Sequence, residues 1–231
     1  RVNDTEANMM IVLDQLYGCL DGIRHKLIFK KTVVINIEQS MPLGVKMLAH
    51  HKLNKKIKYD ATMLTWKDFL SEGKGIVDYP SVTDPDLPAI MVYSSGTTGA
   101  SKGIVLMNKG INSTIAHYEY SDFKYDRGDT NLQIVPTWFS TGIFFCLLMP
   151  LCLGFSCILE PVFSEENFYK DLVKYKPNLI TGANSLWLYT IDKVVEKKMD
   201  LSFLTYPVSG GEKIPYETEL LINDILKDHG C

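Results

Sequence analysis

Three apolar runs decide the fold class of this chain: Leu132-Gln-Ile-Val135, Ile143-Phe-Phe-Cys-Leu-Leu-Met-Pro-Leu151 and Phe155-Ser-Cys-Ile-Leu159. Short apolar runs bounded by proline or glycine are typical of buried strands, and the longer run between them is typical of a buried helix. Pro136 and Gly154 stand at these borders. The stretch therefore predicts a strand, a short helix and a second strand.

The same stretch is also long enough to cross a bilayer, because no charged residue occurs between positions 130 and 159. Its first half, however, is crowded with polar side chains, namely Asn131, Gln133, Thr137, Ser140 and Thr141. We therefore expect a soluble core and no transmembrane segment. A membrane-associated hairpin over 143–159 is the alternative, which fails if the purified chain is soluble without detergent.

The pattern of alternating strands and helices continues on both sides of this stretch. Further strands are predicted at 89–93, 103–107, 179–180 and 206–208, and helices at 108–120, 164–175, 185–197 and from Pro215 onward. Asn108 is the expected N-cap of the first of these helices. Strands that alternate with helices pair in parallel, so we expect an α/β fold with doubly wound, mostly parallel sheets and helices on both faces.

The residues before position 88 have an α/β pattern of their own. Strands are predicted at 9–13 and 32–37, with a helix over 15–25 between them. A Pro/Asp-rich stretch at 79–88 is the best internal boundary. The predicted domains are a partial first α/β subdomain over 1–87 and a second α/β subdomain over 88–231.

Composition and charge exclude several classes of function. The chain has 231 residues, with 24 Lys+Arg against 27 Asp+Glu, 46% hydrophobic and 22% charged residues. This near-balance of charge gives no basic surface for nucleic acid, and the composition excludes disorder. The 5 cysteines form no C-x-x-C pair, and the histidines, including His50-His51, lack ligand spacing. We expect free reduced thiols, a cytoplasmic location and no metal site formed by this chain.

A loop rich in glycine and hydroxyl side chains carries the strongest functional signal: Ser94-Ser-Gly-Thr-Thr-Gly-Ala-Ser-Lys-Gly103. Glycines let backbone N–H groups approach a phosphate, hydroxyls add donors, and Lys102 adds a compact positive charge. An ordinary hairpin loop of this composition is the alternative. A Walker loop fits less well, because Lys102 is followed by Gly103 and no helix begins at once.

Together with Tyr93, this loop closely resembles the phosphate-loop signature of the AMP-forming adenylating enzymes, which include acyl-CoA synthetases, aryl-CoA ligases, beetle luciferases and peptide-synthetase adenylation domains. Most members have proline where Ser101 stands. Three further segments are similar to family motifs: Asp4-Thr-Glu-Ala7, Trp66-Lys-Asp-Phe69 and Val208-Ser-Gly-Gly-Glu-Lys-Ile-Pro215. The resemblance covers nearly the whole chain.

The resemblance implies a set of site residues. The ATP phosphates would be held by loop residues Ser94, Ser95, Gly96, Thr97, Thr98, Gly99 and Lys102. The adenine would be flanked by Gly210, Gly211, Glu212 and Lys213. The acyl pocket and its gate would include Trp138, Phe139 and Gly142, with Phe139 where CoA ligases often have histidine. Ile143, Phe144 and Trp187 fit either a pocket wall or plain core.

The implied reaction joins a carboxylic acid to ATP, giving acyl-adenylate and pyrophosphate, followed by thioester formation, most simply with CoA. A fatty or aryl acid is expected. An α-amino acid is disfavoured, because Ser140 stands where amino-acid-activating members have aspartate, and a buried unpaired ammonium is costly.

The resemblance also implies what lies outside the chain. The glutamate that assists Mg²⁺ would follow Cys231, and a C-terminal domain with the catalytic lysine would come later. We therefore expect a piece of the N-terminal domain of a longer ligase, with no certain catalytic residue and little activity alone. A non-catalytic nucleotide-binding or regulatory module is the alternative.

Overall fold

The computed structural model of the chain describes residues 3–47, 57–78, 81–94, 101–160 and 163–231. The chain divides into two compact units, Arg1–Thr83 and Asp84–Cys231. This division falls inside the Pro/Asp-rich stretch, and the predicted domain limits at 87 and 88 stay a prediction. The predicted loop residues 95–99 and the pair His50-His51 lie outside the described residues.

The first unit is built on a three-stranded parallel sheet. Its strands, in spatial order, are β1 (Met9–Leu13), β2 (Lys31–Ile35) and β3 (Met63–Thr65). Helix α1 (Tyr17–Asp21) lies between β1 and β2 in the chain, and α2 (Trp66–Glu72) follows β3. Helix α2 begins at Trp66, so the segment Trp66-Lys-Asp-Phe69, which is similar to a family motif, forms its first turn.

The connection between β1 and β2 differs from the single helix predicted over 15–25. Two 3-10 turns, Asp14–Leu16 and Arg24–Lys26, stand on either side of α1. Gly18 lies inside α1 and Gly22 ends it. Glycine is a poor helix former, which accounts for the interruption of this segment.

The second unit begins with an antiparallel hairpin of β4 (Pro88–Tyr93) and β5 (Gly103–Met107), followed by helix α3 (Asn108–Tyr120). The N-cap of α3 is Met107, and it makes no side-chain cap. The expected capping role of Asn108 is therefore wrong. Its side-chain amide nitrogen instead donates to the carbonyl of Asp84 at 3.0 Å, in the segment that precedes β4. A residue that already lies inside the helix cannot act as its cap.

A four-stranded parallel sheet forms the centre of the second unit, in the order β7-β6-β8-β9. Its strands are β6 (Thr130–Gln133), β7 (Ser156–Leu159), β8 (Leu179–Ala183) and β9 (Tyr206–Gly210), and its helices are α4 (Met149–Leu153), α5 (Phe168–Tyr175), α6 (Asn184–Lys197) and α7 (Tyr216–Asp228). Every neighbouring pair of strands is parallel. The predicted α/β class with mostly parallel sheets is confirmed.

The stretch that decided the fold class does form a strand, helical structure and a second strand. Its helical part begins as a π-helix at Gly142–Leu148 and continues as α4, with Pro150 in the first turn of α4. Pro150 has no backbone N–H, so the ladder of helical hydrogen bonds is interrupted at this residue. The change from π-helix to α-helix falls just before it. Among the described residues, no helix has both the length and the apolar character that crossing a bilayer requires.

Two apolar clusters cover the two faces of the four-stranded sheet. One contains Ile180 and Trp187, and the other contains Leu179 and Met149. Consecutive strand residues point to opposite faces, so Leu179 and Ile180 belong to different clusters. Trp187 is 1% exposed and packs edge-on against Phe168 at 5.9 Å between ring centroids, so it is part of the core, and it also lines a cavity of 390 Å³ beside α7.

Candidate functional site

The strand order of the four-stranded sheet creates a crevice at its carboxyl edge. From β6 the chain continues to β7 on one side, whereas β8 pairs with β6 on the other side. This reversal of strand order between β6 and β8 is called a topological switch point. The loops that leave the two strands diverge there, and ligands of open α/β sheets bind in the crevice between the loops. The topology alone therefore places a candidate site beyond the carboxyl ends of β6, β8 and β9.

A cavity of 490 Å³ occupies this position, and we call it the central cavity. It is lined by residues from the ends of these three strands and the segments after them: Val135, Phe139, Ser140, Thr141, Phe145, Thr181, Gly182, Ala183, Val208, Ser209, Gly210 and Gly211. None of these side chains is charged. A cavity of this size, mostly apolar with a few hydroxyls, suits an uncharged organic group.

The central cavity brings together three residues that the sequence predicted for different parts of the site. Phe139, which was expected at the acyl gate, lines this cavity together with Gly210 and Gly211. These two glycines were expected beside the adenine. Gly211 has a φ of 90°, a left-handed conformation that favours glycine at the end of β9. A Cβ at Gly210 would meet open space, so glycine at that position leaves room in the cavity.

Glu212 has a structural role that the sequence did not indicate. Its carboxylate accepts a hydrogen bond from the Ser185 backbone N–H at 3.1 Å, and its carbonyl accepts one from the Asn184 side-chain amide at 2.9 Å. Both partners lie in the first turn of α6, where free N–H groups and the helix dipole favour an anion. Glu212 therefore fastens the turn after β9 to the start of α6.

Asn184 was not predicted as a site residue, although it is central to this arrangement. Its side chain is 5% exposed, donates to Glu212 and accepts a hydrogen bond from the Ser209 hydroxyl. The signal available in the sequence was an asparagine at a helix start, which is common at such positions. Its partners, which lie 25 and 28 residues further along the chain, come only from the fold.

Glu212 and Trp138 line neighbouring cavities rather than the central one. Glu212 borders a cavity of 390 Å³ beside α7, and Trp138 borders one of 290 Å³ beyond β6 and β7. Trp138 and Phe139 have ring centroids 6.3 Å apart and are 72% and 53% exposed. Lys213 is exposed and lies on none of these three cavity walls.

Gly142, predicted near the acyl gate, fixes the loop that carries Phe139. A Cβ added to Gly142 would lie 2.1 Å from the Pro136 carbonyl oxygen, closer than any side chain permits. Phe139 closes this turn, because its N–H donates to the Pro136 carbonyl at 3.1 Å and its carbonyl accepts from the Ile143 N–H at 2.9 Å. Glycine at 142 thus lets the helix start pack directly on the loop that forms the cavity wall.

The described ends of the predicted phosphate loop, Ser94 and Lys102, are held together at the tip of the β4–β5 hairpin. The Ser94 N–H donates to the Lys102 carbonyl at 3.0 Å, and the Lys102 N–H donates to the Ser94 hydroxyl at 3.3 Å. Within the described ranges, no ion pair engages the exposed Lys102 ammonium, whereas Lys109 pairs with Asp86 at 2.5 Å. Lys102 therefore offers an available positive charge beside the loop.

The cysteines differ in burial: Cys146 is buried, whereas Cys19, Cys152 and Cys157 are exposed. All 5 are free thiols. Burial raises the pKa of the Cys146 thiol to about 11, so Cys146 is neutral at physiological pH. In the described ranges, no group of three or more His, Cys, Asp or Glu side chains is arranged to hold a metal ion.

The strand order, with an uncharged cavity at the switch point, is typical of α/β proteins that bind a nucleotide or another small ligand at the carboxyl edge of the sheet. A family profile described as AMP-binding enzyme matches residues 1–228. The chain therefore belongs to the AMP-binding enzyme family.

Comparisons with individual proteins agree with this family. A long-chain-fatty-acid–CoA ligase of Bacillus subtilis is 24% identical over 95% of this chain and 40% of that ligase. A luciferin 4-monooxygenase of Photuris pensylvanica is 31% identical over 57% of this chain and 24% of that protein. The chain spans about 40% of the length of long-chain-fatty-acid–CoA ligases from two bacteria.

Solved structures show the same fold. A red-emitting luciferase from Phrixothrix hirtus superposes with a TM-score of 0.76 at 21% identity, over 98% of this chain and 41% of that chain. An anthranilate CoA ligase in complex with anthranoyl-AMP gives a TM-score of 0.75 at 20% identity, over 96% of this chain and 39% of that chain.

Proposed function

We propose that the protein containing this chain activates a carboxylic acid with ATP, forming an acyl-adenylate and pyrophosphate, and then transfers the acyl group to the thiol of CoA. The single observation that carries this proposal is the central cavity at the switch point, whose described lining is uncharged and includes Gly210, Gly211 and Phe139. Family membership and the CoA ligases among the relatives support it.

In this proposal the residues of the chain bind and orient the reactants. Lys102 and the loop that begins at Ser94 hold the phosphates, while Gly210 and Gly211 border the adenine. The acyl group lies in the central cavity beside Phe139. Attack of the carboxylate on the α-phosphorus needs alignment and charge stabilisation more than proton transfer, which suits a site made of backbone groups and one cation.

The acid is proposed to be a fatty or aryl acid without a charged substituent. Among the described residues, no side chain that lines the central cavity is charged and could form an ion pair with an ammonium or a second carboxylate, and a buried unpaired charge costs several kcal/mol. Phe139 adds an aromatic ring at the cavity wall, where a flat or aliphatic acyl group can pack against it.

Mg²⁺ would accompany ATP as its counter-ion. Among the described residues, no group of three or more His, Cys, Asp or Glu side chains could hold this ion. Three further statements stay predictions. They are the lack of activity of residues 1–231 alone, the reduced state of the thiols in a cytoplasmic protein, and the role of CoA as the acyl acceptor.

The experiment is ATP–pyrophosphate exchange with a panel of uncharged acids, using the protein expressed from its complete coding sequence. Lys102→Met is expected to lower kcat/KM for ATP about 10- to 100-fold, the loss expected for a hydrogen bond between charged groups. The matched control is Lys109→Met, which removes an exposed lysine paired with Asp86 and should leave exchange unchanged.

Three outcomes are informative. Exchange that depends on Lys102 supports the proposal, and exchange equally reduced by both substitutions contradicts the assigned role of Lys102. ATP binding without exchange for any acid rejects the adenylation proposal in favour of a non-catalytic nucleotide-binding module. The 231-residue chain assayed in parallel should show little exchange.

A further inference from the structure

We infer that Asn184 is a positioning residue for the nucleotide, and that it holds the Gly210-Gly211 turn where this turn borders the adenine. This inference rests on the proposed function, because it assigns to one residue a role in binding the nucleotide at that same site. It depends on a side-chain amide that is hydrogen-bonded to both flanks of the turn.

The Gly210-Gly211 turn has no side chain of its own that could hold it in place. Parallel pairing between β8 and β9 ends at Ala183 and Gly210, so the chain leaves the sheet at this point. Gly211 has a φ of 90°, and a Cβ built on either glycine would meet no atom within 4 Å. Because glycine has the greatest backbone freedom of all residues, contacts at the flanks must fix the position of this turn.

Asn184 makes such contacts from the first residue of α6. Its side-chain oxygen accepts a hydrogen bond from the hydroxyl of Ser209, directly before the turn. Its side-chain nitrogen donates to the carbonyl of Glu212 at 2.9 Å, directly after the turn. Asn184 is 5% exposed, so water competes weakly for its amide. One side chain therefore ties both ends of the turn to the start of α6.

Asn184 lies behind the wall of the central cavity and does not line it. Ser209 and Gly210 border both the central cavity and the cavity of 390 Å³ beside α7, whereas Asn184 borders only the cavity beside α7. A nucleotide in the central cavity would therefore contact the turn, and Asn184 would act on the nucleotide only through the turn.

Asn178 provides a matched control at the opposite edge of the same sheet. It directly precedes β8, whereas Asn184 directly follows it. Its side chain also joins two segments, because it accepts from the Thr130 N–H at 2.8 Å and donates to the Phe203 carbonyl at 3.3 Å. It does not line the central cavity. Loss of the Asn178 side chain should therefore lower stability without displacing the turn.

The expected effect is confined to the nucleoside part of ATP. The proposed function assigns the phosphates to Lys102 and its loop, so displacement of the turn leaves the phosphate contacts in place. Asn184→Ala should therefore raise the Kd of AMP and the KM for ATP about 3- to 10-fold, the range that corresponds to one net hydrogen bond. The Kd of inorganic tripolyphosphate should stay unchanged.

The test is calorimetric titration with AMP and with inorganic tripolyphosphate, together with ATP–pyrophosphate exchange, using the protein from its complete coding sequence. Asn178→Ala should leave both Kd values and the KM for ATP unchanged, although both alanine variants should lower the free energy of unfolding in urea. Asn184→Asp keeps the acceptor for Ser209 but loses the donor to Glu212, so it should also weaken AMP binding.

Each outcome decides one or both proposals. An equal loss of affinity for AMP and tripolyphosphate in Asn184→Ala overturns the role of Asn184, and so does a similar loss of AMP affinity in Asn178→Ala, because general destabilisation would then explain the effect. Wild-type AMP affinity in Asn184→Ala or Asn184→Asp also overturns it. AMP binding that depends on Asn184, without exchange for any acid, upholds the role and rejects the adenylation proposal. Failure of the wild-type protein to bind AMP overturns both proposals.

Discussion

Replacing Gly142 with alanine tests the close packing that positions the cavity wall. The added Cβ would lie 2.1 Å from the Pro136 carbonyl oxygen and 2.6 Å from its carbon, whereas contacts of real Cβ atoms essentially never fall under 3.0 Å. The backbone must therefore move by about 0.9 Å at the oxygen, because neither partner is a flexible side chain. Overpacking of this kind costs about 1–3 kcal/mol, and contact with backbone places Gly142→Ala at the upper end.

The assay is urea unfolding followed by far-UV circular dichroism, with Gly110→Ala as the matched control. Gly110 lies in α3, and a Cβ there meets nothing within 4 Å. The same substitution at Gly110 should stabilise the protein by about 0.5–1 kcal/mol, because alanine is the better helix former. The two variants should therefore change the free energy of unfolding in opposite directions.

A functional consequence accompanies the loss of stability. Phe139 is bonded to both Pro136 and Ile143, so displacement of Pro136 moves the ring that lines the central cavity. The affinity for the carboxylic acid proposed to bind in the central cavity should fall in Gly142→Ala and remain unchanged in Gly110→Ala. If Gly142→Ala were as stable as Gly110→Ala, the close approach of the helix start to Pro136 would be refuted.

Three further predictions address other parts of the chain. Glu212→Ala should destabilise the second unit by about 0.5–1 kcal/mol, because it removes the acceptor for the Ser185 N–H at the start of α6, and Glu212→Gln should destabilise it less. Equal unfolding free energies for the wild type and both variants in urea would exclude this capping role. Arg24 holds the pKa of Asp60 well below its ordinary 3.8, so stability present above that pH is lost as the pH falls. Asp60→Asn should reduce this dependence of the unfolding free energy on acid pH, as measured by urea unfolding. An unchanged pH dependence would contradict the ion pair between Arg24 and Asp60. Maleimide at pH 8 should label exposed Cys19 but spare Cys146 until the chain unfolds, as read by mass spectrometry; early labelling of Cys146 would refute its burial.

Much of the fold follows from local patterns in the sequence. The apolar runs at β1, β6 and β9 depend on side-chain spacing and on glycine or proline borders, which are local properties. At the start of α3, the sequence pattern was misleading. Asn108 suits a cap position, but α3 already includes it, because hydrogen bonds to the turn at Asp84 fix the helix start.

The candidate site was predictable only in part. The hairpin ends Ser94 and Lys102 and the turn at Gly211 carry compositional signals that survive in isolation. Asn184 carries none, because an asparagine at a helix start is common everywhere. Its importance depends on which atoms lie opposite it, and that is set by strand order and register.

The sequence by itself determined that this protein is α/β, that it carries a glycine-rich loop with a lysine, and that it resembles adenylating enzymes. Periodicity, turn residues and motif spacing are local, so they can be read without coordinates. Only the tertiary structure decided that Phe139, Thr181 and Gly211 share one cavity, and that Glu212 also caps α6. Such contacts join distant segments of chain, and parallel strand pairing across a switch point is what brings them together.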